Sequence, residues 1–308
     1  NDKEPPYSID DIISYYQELG FSQGVALDHL VFPKMDTAER ERRQAITLDN
    51  AKAFLHQHQA QGCKFQPVAI VQGWDAASRK AAMQTLVDLN YEYFALGGMA
   101  RTRSNKEIVG TLEAINSILP KNAKLHVFGL ARQSLLKDFK RLGVTSIDSA
   151  SPIRRAFLGT GEDNFWTKDG TRYAAIRIPQ AKQNARKKRS IDSTEEVMKT
   201  QQLSFEAVQA MEQAALSAIR SYAKGDALLE DALAIILAYD KLHGKNRNHR
   251  AKYKRTLEAR PWDDPDCAIC QQDKVEVIIF RGNNRNRRRG FHNAWAYYQQ
   301  FKAIVSDE

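Results

Sequence analysis

The stretch PVAIVQGWDAASRKAAMQTLVDLNYEYFALGG, residues 67–98, decides how the chain is read. PVAIVQG (67–73) is a short, near-continuous apolar run, the mark of a strand buried on both faces. DAASRKAAMQTLVDLN follows as a helix, with Asp75 or Ser78 placed to cap its start. YEYFALGG (91–98) is a second short apolar run that closes on Gly97 and Gly98. Strand, helix and strand at this spacing predict parallel strands covered by helices.

The same alternation extends in both directions. Upstream, GVALDHLV (24–31) reads as a buried strand and TAERERRQAITLDNAKAFLHQHQAQG as a long amphipathic helix or two. Downstream, SNKEIVGTLEAINSILP is a helix that Ser104 caps and Pro120 stops. KLHVFGLA (124–131) is the next strand, SLLKDFKRLG a helix ending at Gly143, and VTSIDSA closes the series. Five such runs predict an α/β fold, either a doubly wound sheet or a (β/α)8 TIM-like barrel. Polar residues fall at the C-terminal strand ends, Asp28, Gln72, Gly97-Gly98, Gly129 and Asp148, the rim from which barrels build active sites. Five strands do not close an eight-stranded barrel. NDKEPPYSIDDIISYYQELG offers only a helix ahead of the first strand, so a barrel reading places its first strands before residue 1.

Beyond Asp148 the pattern changes. DNFWTKDGTRYAAIRIP (163–179) predicts a hairpin turning at Lys168-Asp169-Gly170. SFEAVQAMEQAALSAIRSYAKG and ALLEDALAIILAYDKLHG predict helices, the second apolar enough to be buried. The last segment joins two cysteines to KVEVIIFRG and the helix NAWAYYQQFKAIV. Three parts result: residues 1–160 with the strand series, 161–245 as a hairpin and helical insertion, and 246–308 as a cysteine-bearing basic segment ending in a helix.

Composition bounds the function. With 308 residues, 43% hydrophobic and 27% charged, the chain can bury one large core or two modest ones. No apolar run approaches the roughly 18 residues of a membrane span, and the polar N-terminus lacks a signal-peptide pattern, so a cytoplasmic protein without a membrane partner is expected. The net charge is +9, and its excess is clustered in ARKKR (185–189), KNRNHRAKYKR (245–255) and FRGNNRNRRRGFH (280–292). One cluster is as readily a solvated basic face as a binding surface. Three favour a polyanion, and nucleic acid above others, with Arg281, Arg285, Arg287, Arg288 and Arg289 on an Arg-rich loop as contacts.

The cysteines Cys63, Cys267 and Cys270 cannot form a disulfide framework. Cys267-Ala-Ile-Cys270 followed by His292 supplies three ligands of the kind tetrahedral Zn2+ accepts, whereas two cysteines alone could be plain structural thiols. A closed site needs a fourth donor. Asp264 and Asp266 are nearest and His249 is more distant. Lying outside the strand rim, such a metal would be structural, contributing folding energy and holding the basic loop.

VALDHL with Asp28, AIVQG with Gln72, YFALGGMA with Gly97 and Gly98, GVTSIDSASPIRR with Asp148, and a Cys-x-x-Cys…His closure resemble, in this order, the tRNA-guanine transglycosylases. HVFGLAR, DSASPIRRAF and VIIFRGNNRNRRRGFHN are most similar to the branch acting on DNA, the 7-deazaguanine DNA transglycosylases of bacterial and phage DNA-modification systems. The resemblance implies a barrel enzyme, a pentosyltransferase that replaces guanine in a polynucleotide with a 7-deazaguanine, such as 7-cyano-7-deazaguanine. It implies Asp148 as the nucleophile forming a covalent sugar intermediate. Asp28 would grip the N–H edge of the base, Gln72 and the Gly98 N–H its carbonyl, Gly97 would leave bare backbone beside the ring, and Met99 would meet the 7-substituent. Arg154 and Arg155 would hold phosphates flanking a flipped nucleotide. The resemblance implies DNA and the deazaguanine base as partners, with tRNA as the alternative polymer, and a partner subunit of a DNA-modification system beside them. Two departures stand out. The family has Cys-x-Cys-x-x-Cys, but Pro265 occupies the first position here. The family's general base, an aspartate upstream of the Asp28 motif, has no match in this sequence and is expected before residue 1. Without it, the chain would be a non-catalytic nucleic-acid-binding subunit with a degenerate site.

Overall fold

A computed structural model of the chain describes residues 7–32, 34–158, 161, 163–181, 203–243, 248–264 and 266–306. The ARKKR cluster, Pro265 and the first residues of the 245–255 cluster lie outside the described residues. Two compact units are present, one running up to Ser149 and including the final turn from Ile304, the other from Ala150 to Ala303.

The first unit is built on a five-stranded parallel sheet, β1 (Gln23–Val25), β2 (Gln66–Val71), β3 (Tyr93–Leu96), β4 (Lys124–Val127) and β5 (Val144–Ile147), ordered β1-β2-β3-β4-β5. That sequential order lacks the reversal that defines a doubly wound sheet. Helices α1 (Ile9–Glu18), α2 (Thr37–Ala60), α3 (Ala76–Asp88), α4 (Asn105–Asn116) and α5 (Leu136–Arg141) intervene. Their starts follow the sequence signals: Ser104 accepts from the Glu107 N–H, and Asp75 and Ser78 share a reciprocal capping box. The 37–60 region is a single helix capped by Asp36.

Register gives the sheet two different faces. Ala69, Val71, Phe94, Leu96, Leu125 and Val127 alternate onto one face and are fully buried. The helices supply matching apolar stripes, including Phe54, Met83, Leu86, Ile108 and Leu112, and α2 and α3 pack on β2. The opposite face carries Val68, Tyr93 and Ala95 with Val25 and Phe128 as a small cluster of its own. Continuing the same alternation along the strands adds Gln72, Gly97, His126, Ser146 and Asp148. Polar chemistry is therefore concentrated on one face, towards the C-terminal strand ends.

Strand β1 is shorter than the predicted 24–31. After Ala26 donates to the Val68 carbonyl, the chain leaves the ladder, and the His29 N–H finds the Thr47 hydroxyl on α2 instead. That departure is what lets Asp28 point out of the strand row.

The second unit holds α6 (Ser151–Arg155), the hairpin β6 (Phe165–Trp166) and β7 (Arg172–Tyr173), and the parallel pair β8 (Ile176–Arg177) and β9 (Ile279–Phe280). The hairpin turns at the predicted residues, where Gly170 has φ +90° and its N–H bonds the Thr167 carbonyl. Among the described residues it also holds helices α7 (Phe205–Lys224), α8 (Leu229–Leu242), α9 (Arg250–Ala259), α10 (Ala268–Asp273) and, as far as Ala303, α11 (Gly282–Ser306). Its core gathers Phe165, Ile176, Ile219, Ile236, Tyr239, Tyr253, Trp262, Cys267 and Cys270. KVEVII is mostly a 3-10 turn, Lys274–Ile278, ahead of the two-residue β9. Within the 281–289 segment, expected as a loop, residues 282–289 are instead the first turns of α11, where Arg285 and Arg288 have carboxylate partners and Arg289 has carbonyl partners that a mobile loop would leave unused. No helix among the described residues is long and apolar enough to cross a membrane.

Candidate active site and metal centre

In the first unit, four strand ends carry the polar groups. Gln72 is buried, and its Nε2 donates to Asp28 Oδ2 at 2.5 Å. Gln44 on α2 fixes the backbone beneath it by donating to the Gln72 and Ser78 carbonyls, at 2.8 and 3.1 Å. The Gln72 Oε1 is buried with no hydrogen-bond partner among the described residues, which marks an acceptor awaiting a ligand donor or an amide that turns over when one arrives. A Cβ on Gly97 would sit 2.6 Å from Gln72 Nε2, and one on Gly98 3.2 Å from Gln72 Oε1. Gly98 is at φ +76°, where a side chain is strained as well as crowded. The glycine pair is thus required by the Gln72 amide lying against bare backbone. Met99 opens the 3-10 turn Met99–Arg101 and is fully buried.

Asp148 stands one residue past β5, with its side chain 58% exposed. Its Oδ1 accepts from the Gly129 N–H at 2.7 Å and contacts His126 Nε2 at 3.2 Å. No described group reaches Oδ2. Gly129 is close to the glycine turn as well, since a Cβ there would lie 3.1 Å from Ala100 Cβ. Asp28, Gln72, Gly97-Gly98 and Asp148 therefore lie beyond the C-terminal ends of β1, β2, β3 and β5 of one sheet, with one Asp148 oxygen anchored and the other without a described partner.

In the second unit, Cys267, Cys270 and His292 bring their ligand atoms within 4.8 Å of one another, all buried. Both sulfurs approach His292 Nδ1, at 3.2 and 3.3 Å. Zinc bonded tetrahedrally to sulfur and nitrogen separates those atoms by roughly 3.5 Å, so this group can hold a metal with little movement. His292 Nε2 is 2.7 Å from the Trp166 carbonyl, and donation there leaves Nδ1 free as the ligand nitrogen. Phe165 stacks on the ring at 3.9 Å and fixes its plane. A hydrogen bond from Cys270, and His292 after it, hold the Cys267 thiol well below its usual range, as a metal ligand requires. Among the described residues no fourth His, Cys, Asp or Glu joins the group. His249, considered as a donor, is spent on Asp240 at 2.6 Å. Asp264 and Asp266 both pair with Lys168.

Residues 3–194 match the family model described as queuine tRNA-ribosyltransferase, well over half of the 308 residues. The chain belongs to the queuine tRNA-ribosyltransferase family. A DNA-guanine transglycosylase of Salmonella montevideo is 36% identical over 318 residues, covering 99% of this chain and 74% of that protein. Queuine tRNA-ribosyltransferases of Psychrobacter cryohalolentis and Clostridium tetani are 23% and 29% identical over 141 and 104 residues. These two matches cover 46% and 34% of this chain and 36% and 26% of theirs.

The basic residues of this queuine tRNA-ribosyltransferase family member divide by environment. Arg289 is fully buried and donates to the carbonyls of Ala156, Val277 and Ile279 and to Asn286. Burial holds its guanidinium below the usual range. Expected at a polymer surface, it is instead enclosed, because three carbonyls, from the 3-10 turn, β9 and the end of α6, take it as their donor. Arg281 pairs with Glu212, Arg285 with Glu276 and Arg288 with Asp273. Arg287 is exposed on α11. On α6, Arg154 is exposed and Arg155 pairs with Asp163 at 3.0 Å.

Two neighbours of the strand-end site were not singled out from the sequence. His126 sat inside KLHVFGLA, read only as an apolar strand; its position two residues before Phe128, on the polar face, was the available signal. Arg79 is buried on α3, 3.6 Å from where a Gly98 Cβ would be, and burial holds it below its usual range. A charged residue one position after the capping Ser78 carried no sequence sign of burial.

Proposed function

We propose that this chain exchanges guanine in DNA for a 7-deazaguanine, 7-cyano-7-deazaguanine or a close relative, through a covalent aspartyl–sugar intermediate. The observation that carries the reading is Asp148: Oδ1 is anchored and Oδ2 has no described partner, at the β5 end of the sheet whose β1 and β2 ends carry the Asp28–Gln72 pair. Attack by Oδ2 on the anomeric carbon breaks the glycosidic bond and expels guanine, and the incoming base then displaces the carboxylate. The departing base takes up one proton and the arriving base gives one up, so the exchange is neutral overall. Asp28 accepts from the N–H edge of the base and Gln72 faces its carbonyl. In the base-free protein the two satisfy each other, so base entry trades that hydrogen bond for new ones and favours only a ring offering both a donor edge and an acceptor. The Gly97-Gly98 backbone would lie along the ring, with Met99 meeting the 7-substituent.

The sequential parallel strands fit the wall of a (β/α)8 barrel, the architecture expected of the family. Cys267, Cys270 and His292 would hold Zn2+, which when bound supplies folding energy to the second unit. DNA is favoured as the polymer because the relative matched over almost the whole chain is a DNA-guanine transglycosylase, and Arg154 and Arg287 are exposed cations suited to its phosphates.

Nucleoside mass spectrometry of DNA and tRNA from cells with and without the protein tests the substrate. A deazaguanine mass is expected in DNA, and its appearance in tRNA alone overturns the DNA assignment. Asp148→Asn is expected to lower base exchange by at least about 10³-fold while DNA binding persists; unchanged exchange removes the nucleophile.

A further inference from the structure

Behind Asp148 lies a line of hydrogen-bonding side chains that the exchange reaction as described does not use. His126 Nε2 contacts Asp148 Oδ1, and His126 Nδ1 is 2.8 Å from Ser146 Oγ. Ser146 Oγ is in turn 2.9 Å from the hydroxyl of Tyr93. These side chains come from three adjacent strands, β3, β4 and β5, and from the one face that bears the nucleophile. Tyr93 is buried, the His126 side chain is only 17% exposed, and Phe128 packs edge-on against the imidazole at 4.6 Å. The ring is held, not floating at the surface.

A carboxylate only accepts, and one assignment of hydrogens then satisfies the whole line. The Tyr93 hydroxyl donates to Ser146 Oγ, the Ser146 hydroxyl donates to Nδ1, and the Nε2–H donates to Asp148 Oδ1. Each atom then has one role, with the ring proton on Nε2 and Nδ1 as acceptor. Together with the Gly129 N–H, this gives Oδ1 two donors and Oδ2 none.

We propose that His126, oriented by Ser146 and Tyr93, is a positioning residue that selects Oδ2 of Asp148 as the attacking atom and stabilises the carboxylate when it departs from the sugar. The proposal rests on the reading of Asp148 as nucleophile and extends it. A carboxylate free to spin about its Cβ–Cγ bond presents either oxygen in a range of directions, whereas displacement at carbon needs one lone pair aligned with the breaking bond. Two donors on Oδ1 fix that plane. In the second half-reaction Asp148 is the leaving group, and the same donors meet the negative charge that returns to it.

The test measures base exchange on DNA, together with formation of the covalent protein–DNA adduct resolved on denaturing gels, for the whole protein. His126→Phe is expected to slow adduct formation on the order of 10- to 100-fold, with KM for base and DNA changed by no more than about twofold. His126→Gln, which keeps a donor near the Nε2 position, is expected to recover most of the rate, and no such rescue overturns the proposal. Ser146→Ala removes the orienting partner with little change of volume and is expected to cost about fivefold in the same step. It keeps the idea falsifiable should His126→Phe not fold, and an unaltered adduct rate in Ser146→Ala overturns it. Nitrogen-15 shifts of the His126 ring are expected to report the Nε2–H tautomer; the Nδ1–H tautomer contradicts the proposal. Asp148→Ala separates the two failures. If that variant still forms adduct, the nucleophile itself is wrong. If it is inert while His126→Phe and Ser146→Ala are unimpaired, only the positioning line falls.

Discussion

The strand-end site of the first unit and the metal and arginine region of the second use polar residues in opposite ways. Asp148 is more than half exposed, and among the described residues one of its oxygens and the buried Gln72 Oε1 have no partner. Cys267, Cys270, His292 and Arg289 are buried, and each is directed at protein atoms. The difference teaches a criterion: a polar group with an unused lone pair at the end of a rigid element is arranged for a ligand, whereas one whose capacity is consumed indoors is arranged for folding.

Stripping the metal is the hardest blow to that comparison. Cys270→Ser, or dialysis against a strong chelator, is expected to destabilise the second unit by several kcal/mol. Metal analysis against thermal unfolding checks it, and full retention of stability without stoichiometric zinc removes the structural site. Next comes Arg289→Met. Leaving the Ala156, Val277 and Ile279 carbonyls without their donor is expected to cost about 3 kcal/mol in chemical denaturation, with no change in the salt dependence of DNA binding. Gly98→Ala sharpens the other side. A Cβ at φ +76° against Gln72 Oε1 is expected to cost about 1 kcal/mol in stability and to raise KM for the base more than it lowers kcat. The smallest effect belongs to Arg287→Ala, which is expected to leave stability unchanged and to reduce the slope of log affinity against log salt by about one. Equal behaviour of Arg287 and Arg289 in the salt titration would erase the distinction between exposed and enclosed arginines.

Much of the first unit is legible in the sequence because its signals are local. Apolar runs at 67–73 and 91–98, a capping Asp75 and a glycine after α5 depend on neighbours a few residues away, and the strands, helices and strand-end positions of Asp28, Gln72, Gly97 and Asp148 follow from them. Arg281–Arg289 reads wrongly as a loop for the complementary reason. Asn-Arg repeats are poor evidence of a helix until Glu212, Asp273 and Glu276 are known to stand opposite them, and Glu212 is far away in the chain. His126 is missed for a related reason, since nothing in KLHVFGLA says that Ser146 and Asp148 lie on the next strand, at the same level and on the same face.

The sequence by itself determined the alternation of buried strands and amphipathic helices, the row of polar residues at strand ends, and the Cys-x-x-Cys…His set, because these are written as periodicity and short spacing. The tertiary structure alone decided which oxygen of Asp148 is left open, which histidine stands behind it, and which arginines are spent on carbonyls. Those outcomes depend on pairings between residues up to 133 positions apart, as between Arg289 and the Ala156 carbonyl, and no local pattern encodes a partner that only folding brings within reach.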